Sequence, residues 1–407
     1  MMNDTLILLL FLSFSLAILT GYLAHFQRAV TQIAQLSPSP YLISKDFVNL
    51  NCPKISVIIP AYNEADNIQD CVTSVLDSTD LSANNLEVWI VDDCSTDDTL
   101  TILKTLQQNL GDSRLKLLPG LPRPKTKMWI GKNWACAQAA ERCNAEFLLF
   151  IDADVRLKFG AIEAVIQAAA SERIDLLNCI PALVCGSLFE WLVQPLIFIN
   201  LLISLNSAAV KNPKTKTAFA AGPFMLFRRS AYEQVGGHQA VASHVAEDVA
   251  LARLIKHNGL SLQYALGRDL ASLRMYSSGK ALWEGWTKNL YSGAQKSLWL
   301  MLFLALVMLS IYSIPWLGLV IVLGKSLLIG WKTLDWLALC LASIAIILQY
   351  KLRSLTTQAL DTPPKYWWLQ GLGGLLVAII AVASVIKTET GWGWTWRGRS
   401  LSSTQET

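Results

Sequence analysis

Residues 86–99 read LEVWIVDDCSTDDT. Apolar and β-branched side chains fill most of the first six positions. Asp92 and Asp93 close the run, Ser95 and Thr96 suit the cap of a following helix, and Asp97 and Asp98 suit the positive end of its dipole. A buried strand that ends in carboxylates and turns at once into a helix is the building unit of an α/β domain, whose ligands bind at the carboxyl ends of parallel strands.

Outward from this stretch the pattern repeats. Strands are predicted at Ile55 to Pro60, Leu86 to Val91, Leu115 to Leu118, Glu146 to Ile151 and Gly222 to Arg228. Helices are predicted at Glu64 to Leu76, Asp97 to Leu110, Lys132 to Asn144, Phe159 to Ala170 and Ala246 to His257, giving an α/β fold with a mainly parallel sheet. Upstream, residues 54–68 (KISVIIPAYNEADNI) leave their strand at Pro60 and turn near Asn63 and Glu64. Downstream, residues 146–157 (EFLLFIDADVRL) end a strand with Asp152 and Asp154. Two carboxylates flanking one residue outside a buried strand make a poor core and a good site for a hard cation, Mg²⁺ or Mn²⁺, shared with substrate phosphates. A D-x-D alone is most often a solvated turn; it is the order and spacing of the three strand ends that argue for a nucleotide-diphosphate site.

These motifs, with HVAEDVALARLIKHNG at residues 244–259, resemble those of the family-2 inverting glycosyltransferases of the nucleotide-sugar-binding GT-A fold, over roughly Lys54 to Ser297. The resemblance implies that Pro60, Tyr62, Glu64 and Asp93 contact the donor, Asp93 at its nucleobase. It implies likewise that Asp152 holds the ribose or diphosphate, Asp154 the metal, and that Asp248 is the general base. The donor implied is a UDP- or GDP-sugar. Glu247 and Asp248 begin a helix, where backbone amides favour an ionised carboxylate; being adjacent they cannot face the same way, and the resemblance selects Asp248. Lys132, at a helix start after Gly131, suits diphosphate oxygens, although Arg123, Lys125, Lys127 and Lys132 equally suit a basic loop at the membrane face. Asn133 receives no role.

The composition places this domain on a membrane. Of 407 residues 53% are hydrophobic and 16% charged, against about 25% charged in ordinary soluble domains. Thr5 to Phe26, Leu298 to Gly324, Asp335 to Tyr350 and Leu369 to Ile386 are apolar runs fit to span, one N-terminal and three C-terminal, with a kink or break expected at Pro315. No basic residue precedes the first run and no A-x-A site follows it, which favours a retained anchor over a signal peptide. Arg28, Lys45 and Lys54 follow it, and with Lys351, Arg353 and Lys365 they place the large domain in the cytoplasm, while Lys387, Arg397 and Arg399 count against this. Trp316, Trp331, Trp336, Trp367 and Trp368 lie near span ends, where interfacial anchors are expected. The expected division is an anchor (1–27), a nucleotide-sugar half (28–186), interfacial helices (187–217), a catalytic-base half (218–278), an interfacial helix (279–297), C-terminal spans (298–386) and a tail (387–407). The greasy segment 187–209 contains Glu190 and Pro195. Counting it as a fifth span would put Asp248 across the membrane from Asp154.

A net charge of +4 with no long basic run excludes nucleic acid as partner, and eight cysteines without a C-x-x-C pair suggest neither a zinc site nor a dithiol. Processive synthases of the family carry a Gln-x-x-Arg-Trp motif before the next span; here stands LWEGWTKNLYSGAQKS (282–297), which implies single transfers. In it Trp283, Trp286 and Lys288 are candidates for acceptor and interface contact. GWTKNLYSGAQ and GKNWACAQA look most like transferases acting on carotenoids and related terpenoid or sphingoid lipids. The implied partners are thus a lipid bilayer and a membrane lipid acceptor, a carotenoid hydroxyl or carboxyl first, with ceramide- or hopanoid-type lipids or polyprenyl phosphate as alternatives. A nucleotidyltransferase would want a glycine-rich loop that VIIPAYNEADN lacks, and a non-catalytic scaffold has no use for the acidic strand ends.

Overall fold

The computed structural model describes residues 2–38, 53–124, 128–204, 206–212, 214–393, 395–396 and 399–400; Lys45, Lys125, Lys127 and Arg397 lie outside them. The chain divides into two units. One comprises Gln32–Val184 and Asn206–Arg274, the other Met1–Thr31, Cys185–Leu205 and Met275–Thr407.

The first unit is a nine-stranded sheet between helices. Its strands are β1 (Ala34–Gln35), β2 (Ile55–Ala61), β3 (Leu86–Asp92), β4 (Leu115–Pro119), β5 (Phe147–Ile151), β6 (Val155–Leu157), β7 (Leu176–Leu183), β8 (Phe224–Arg228) and β9 (Leu262–Leu273). They run in the order β1-β9-β7-β8-β5-β2-β3-β4, with β6 on β9. β5, β2, β3 and β4 pair in parallel, as do β7, β9 and β1, whereas β8 is antiparallel to both its neighbours. The sheet is therefore mainly parallel, as the sequence implies. Parallel strands need both faces covered, and β2, β5 and β7 are buried almost throughout.

All five strands expected from the sequence are present, with bounds shifted by two residues or fewer. Two long strands were not foreseen. LLNCIPAL of β7 is a continuous buried run interrupted by Pro181, without the alternation that marks a strand; β9 is interrupted by Gly267, Arg268 and Asp269, beside a register shift between Pro181 and Ala182 of its partner. The helix expected from Glu64 begins at Ile68, because residues 64–67 form a hydrogen-bonded turn instead.

The second unit is helical. Four helices in it are long and apolar enough to cross a membrane: Asp4–Gln32, Leu298–Ile329, Thr333–Leu360 and Trp367–Thr390. The second is interrupted by a π-helical turn, Leu309–Ser313, just before Pro315. Proline has no N–H to offer the carbonyl four residues back, that of Ile311; Gln349 Nε2 donates to it instead at 2.8 Å. Ser15 Oγ donates to the carbonyl of Ser310 at 2.6 Å. Asp335, fully buried at the start of the third helix, is paired with Lys325 at 2.8 Å. Arg353 turns inward rather than toward headgroups, its guanidinium donating to the carbonyls of Thr362 (3.3 Å) and Pro363 (3.1 Å).

The apolar segment 187–209 forms two helices in different units. Leu188–Ser204, with 17 residues, is short for a span at 1.5 Å per residue. It buries Leu192, Val193, Gln194, Leu196 and Ile197 within its unit, and Gly373 of the last span lies so close that a Cβ there would stand 2.6 Å from the Leu192 carbonyl. Ser207–Lys211 belongs to the sheet unit.

Candidate functional site

Register brings the acidic residues to one edge of the sheet. Ala61 pairs with Asp92, so Tyr62 and Asp93 leave the sheet side by side, and Asp93 N donates to the Ala61 carbonyl at 2.8 Å. Ile58 pairs with Phe150, which puts Asp152 level with Pro60. Because β8 runs against β5, its amino end lies at this same edge, and Asp152 N donates to the Pro223 carbonyl at 3.3 Å.

The first two motifs are stitched together across their turns. Asn63, in the left-handed region at φ 52°, receives Thr96 N on its Oδ1 at 2.8 Å, and its own N–H donates to Ser95 Oγ at 3.0 Å. Glu64 N donates to Thr99 Oγ1 at 2.8 Å and Ala65 N to Asp97 Oδ2 at 3.2 Å. Glu64 Oε2 takes a bond from Asn67 Nδ2 at 3.0 Å. Ser95, Thr96 and Asp97 thus do more than cap a helix: they fix the PAYNE turn against the DDCSTDDT turn. Pro60, Tyr62 and Glu64 are half-buried there, and Asp92 and Asp93 are buried.

The charged centre is built by Lys132, Asp152, Glu247 and Asp248. Lys132 stands in the first turn of the helix Gly131–Arg142, with Nζ 2.7 Å from Asp152 Oδ1 and 2.8 Å from Glu247 Oε1. Burial alone would pull its pKa down, but the two carboxylates together hold it well above the usual lysine value. Lys132 therefore belongs to the acidic cluster, and the basic-loop alternative falls away for this residue. Asp248, in the first turn of Glu247–His257, accepts from Gly222 N at 2.8 Å on Oδ2 and from Val249 N at 2.8 Å on Oδ1. Burial, then the neighbouring Glu247 carboxylate, push its pKa up to about 6 against the pull of Lys132 and those two N–H groups. The amides at the helix start thus moderate a shift that burial and Glu247 dominate. Gly222 is the floor of the cluster: a Cβ there would lie 2.8 Å from Lys132 Nζ and 3.4 Å from both Asp248 Oδ2 and Glu247 Oε1.

Asp154 follows Asp152 across the buried Ala153, is half-buried, and accepts from Arg274 N at 3.5 Å on its carbonyl. Among the described residues no three His, Cys, Asp or Glu side chains are grouped to enclose a metal ion alone. Two hard carboxylates on one short turn do fit Mg²⁺ or Mn²⁺ held jointly with phosphate oxygens, the usual way these ions are bound. Trp283, Trp286 and Lys288 belong to the helical unit, on the helix Gly279–Gly293. Trp286 is an interior anchor, its Nε1 donating to Gln194 Oε1 at 2.8 Å, and Trp283 is half-buried with Lys387 Nζ 5.6 Å from its ring centre. Lys288 is half-buried.

Three site residues escaped the sequence reading. Asn178, fully buried in β7, donates to the Ala221 and Phe224 carbonyls (2.7 and 2.9 Å) and accepts from Ala221 N (3.0 Å), which holds the strand entry containing Gly222. Asn133 is the second and Gly222 the third. The available signal was an asparagine in an otherwise apolar strand and another in an alanine-rich helix.

The family model for glycosyl transferase family 2 matches residues 56–236. The chain is 29% identical to a 4,4'-diaponeurosporenoate glycosyltransferase of Staphylococcus haemolyticus over 71% of its own length and 72% of that protein. It is 26% identical to the enzyme of the same name from Staphylococcus aureus (strain MRSA252) over 61% of this chain, an alignment that spans 63% of that relative. Among solved structures, the mannosyltransferase PcManGT of Pyrobaculum calidifontis, in complex with GDP-Man and Mn²⁺, shares the fold with a TM-score of 0.52 at 15% identity, covering 95% of this chain and 99% of that one.

Proposed function

The chain is a family-2 glycosyltransferase, and from that premise we propose that it transfers one sugar from a nucleoside-diphosphate sugar to an oxygen of a membrane lipid, with inversion and with Asp248 as general base. The observation that carries this reading is the cluster of Lys132, Asp152, Glu247 and Asp248 around Gly222, in which one carboxylate has a pKa of about 6. A base poised near neutral pH is mostly ionised yet still takes a proton well. The acceptor oxygen attacks the anomeric carbon, its proton passes to Asp248, and the electron pair of the breaking C–O bond leaves with the diphosphate.

Asp93 and the PAYNE turn, with Pro60, Tyr62 and Glu64, receive the nucleoside. Asp152 and Lys132 serve the ribose and diphosphate, and Asp154 with Asp152 would hold a divalent cation, Mg²⁺ or Mn²⁺. That cation, when bound, supplies positive charge to the departing diphosphate. A UDP- or GDP-sugar is the donor; the GDP-Man and Mn²⁺ bound by the mannosyltransferase that shares this fold are in keeping with this. The four long apolar helices and the relatives named for a carotenoid acid support a lipid acceptor, a carotenoid hydroxyl or carboxyl first.

The two acceptor groups differ chemically. A hydroxyl must lose a proton during attack; a carboxylic acid is already ionised at neutral pH and needs no base. Purified protein assayed with labelled donor and Mn²⁺ should therefore lose about 10²-fold or more in kcat on Asp248→Asn with a hydroxyl carotenoid, and much less with a carotenoid carboxylate. Wild-type turnover of the hydroxyl acceptor by that variant would end the assignment of Asp248.

A further inference from the structure

Asp248 must be held to within a fraction of an ångström of its working position, yet the chain leading to it, residues 241–246, is neither helix nor strand. Something outside that segment has to fix it. We propose that Asn133 is a positioning residue for Asp248, clamping the segment Val241–His244 through three backbone carbonyls. The inference rests on the reading of Asp248 as base.

Asn133 is fully buried in the first turn of Gly131–Arg142. Its Nδ2 lies 2.9 Å from the Val241 carbonyl oxygen, 3.0 Å from that of Ala242 and 3.0 Å from that of His244. An amide NH₂ carries two hydrogens, so three acceptors converge on one donor group with a bond shared. Only the nitrogen end of the amide can face three carbonyls; the opposite orientation would set oxygen against oxygen. Oδ1, also buried, has no hydrogen-bond partner among the described residues, so the carbonyls alone orient the side chain.

Burying an amide is costly unless its bonds are used, and apart from Gln138 the other buried residues of this helix are Ala135, Cys136, Ala137, Ala139 and Ala140. An apolar residue would serve packing as well but would remove all three Nδ2 bonds, leaving the Val241 carbonyl with His244 N (2.9 Å) and the Ala242 carbonyl with Ile130 N (2.8 Å), and nothing that ties the His244 carbonyl back to this helix. The same helix start grips the segment in two further ways. Ile130 N donates to the Ala242 carbonyl at 2.8 Å, and Trp129 and Ala137 pack on Ala242. Lys132, next in the chain, takes the Glu247 carboxylate at 2.8 Å. One helical turn therefore holds both ends of the stretch that delivers Glu247 and Asp248.

The test is steady-state kinetics on purified full-length protein with a hydroxyl acceptor, comparing Asn133→Leu, which keeps the shape and removes the donors, with Asn133→Asp, which sets a carboxylate against the carbonyls. The expected result is a fall in kcat of about 10- to 100-fold in both, with the donor KM within about twofold of wild type. Unchanged kcat, parallel loss of kcat and donor affinity, or failure of both variants to purify folded would overturn the positioning role. Asp248→Asn measured alongside separates the two readings. Loss there with wild-type kcat in the Asn133 variants sinks the positioning role alone. Wild-type turnover in Asp248→Asn sinks the base, and the positioning role with it.

Discussion

Asp248 owes its raised pKa to its surroundings rather than to its own chemistry, burial first and the Glu247 carboxylate second. A raised value means that the proton binds more tightly than in water, so the base is disarmed as pH falls through about 6 and armed above it. With a hydroxyl acceptor, kcat/KM should therefore drop about tenfold per pH unit below 6 and level off above; a profile flat down to pH 4.5 would show that this group takes no proton. Gly222 tests the same centre from below. In Gly222→Ala the new methyl would sit 2.8 Å from Lys132 Nζ, so the ammonium must leave at least one of its carboxylates. The expected loss is on the order of tenfold in kcat/KM with donor, since small displacements at such a centre weigh heavily on rate, while the thermal midpoint moves little because the clash is with the far end of a flexible side chain. At this scale the sequence is readable where a charge closes a strand or opens a helix. Asp152, Asp248 and Lys132 stand at strand ends and helix starts. It was silent on Gly222, Asn133 and Asn178, which act through backbone distances that only the folded chain sets.

The two opening motifs are joined element to element, by bonds from one βα turn to the next. Thr99 is central: fully buried, it accepts from Glu64 N at 2.8 Å and donates to Asp97 Oδ1 at 2.5 Å. Thr99→Val keeps the volume and removes both bonds, leaving the Glu64 N–H without its acceptor. A loss of about 1–2 kcal/mol in unfolding free energy is expected, with a weaker donor KM because the PAYNE turn loosens. Unchanged donor affinity would mean that this turn does not touch the nucleotide. In the helical unit, a Cβ on Gly285 would run into the ring of the buried Tyr276, so Gly285→Ala should lower the thermal midpoint of the detergent-solubilised protein despite alanine's better helix propensity. Elements whose apolar pattern has a period were legible from sequence, down to the break at Pro315. β7 and β9 were not, since a strand buried on both faces has no alternation to read and Pro181 and Gly267 imitate loop signals. The helix Leu188–Ser204, expected at the membrane interface, packs its buried face within the helical unit, where Gln194 meets Trp286.

For the molecule as a whole the governing constraint is the side of the membrane on which the sheet unit stands. A nucleotide sugar carries its diphosphate charge and does not cross hydrocarbon, so the site must face the compartment that makes the donor. Arg28, Lys45 and Lys54 after the first span, with Lys351, Arg353 and Lys365 before the last, argue for the cytoplasm as that side, while Lys387, Arg397 and Arg399 argue against it, so sidedness is a prediction to be tested. Cysteine chemistry can decide it. Among the described residues Cys71, Cys136, Cys143, Cys179 and Cys185 are buried, and burial pushes the thiols of Cys71, Cys136 and Cys179 up, away from the reactive thiolate. Cys340 is exposed but lies within the span Thr333–Leu360, where a charged reagent does not follow. Cys94 is exposed at the end of β3, in the turn beside Asp93. With Cys52 replaced by serine, a membrane-impermeant maleimide should leave sealed right-side-out vesicles unlabelled and label Cys94 once detergent opens them. Saturating donor and Mn²⁺ should slow that second reaction, because the labelled turn adjoins the proposed nucleoside contacts. Equal labelling before and after detergent would put the sheet unit outside and force the donor to be supplied there.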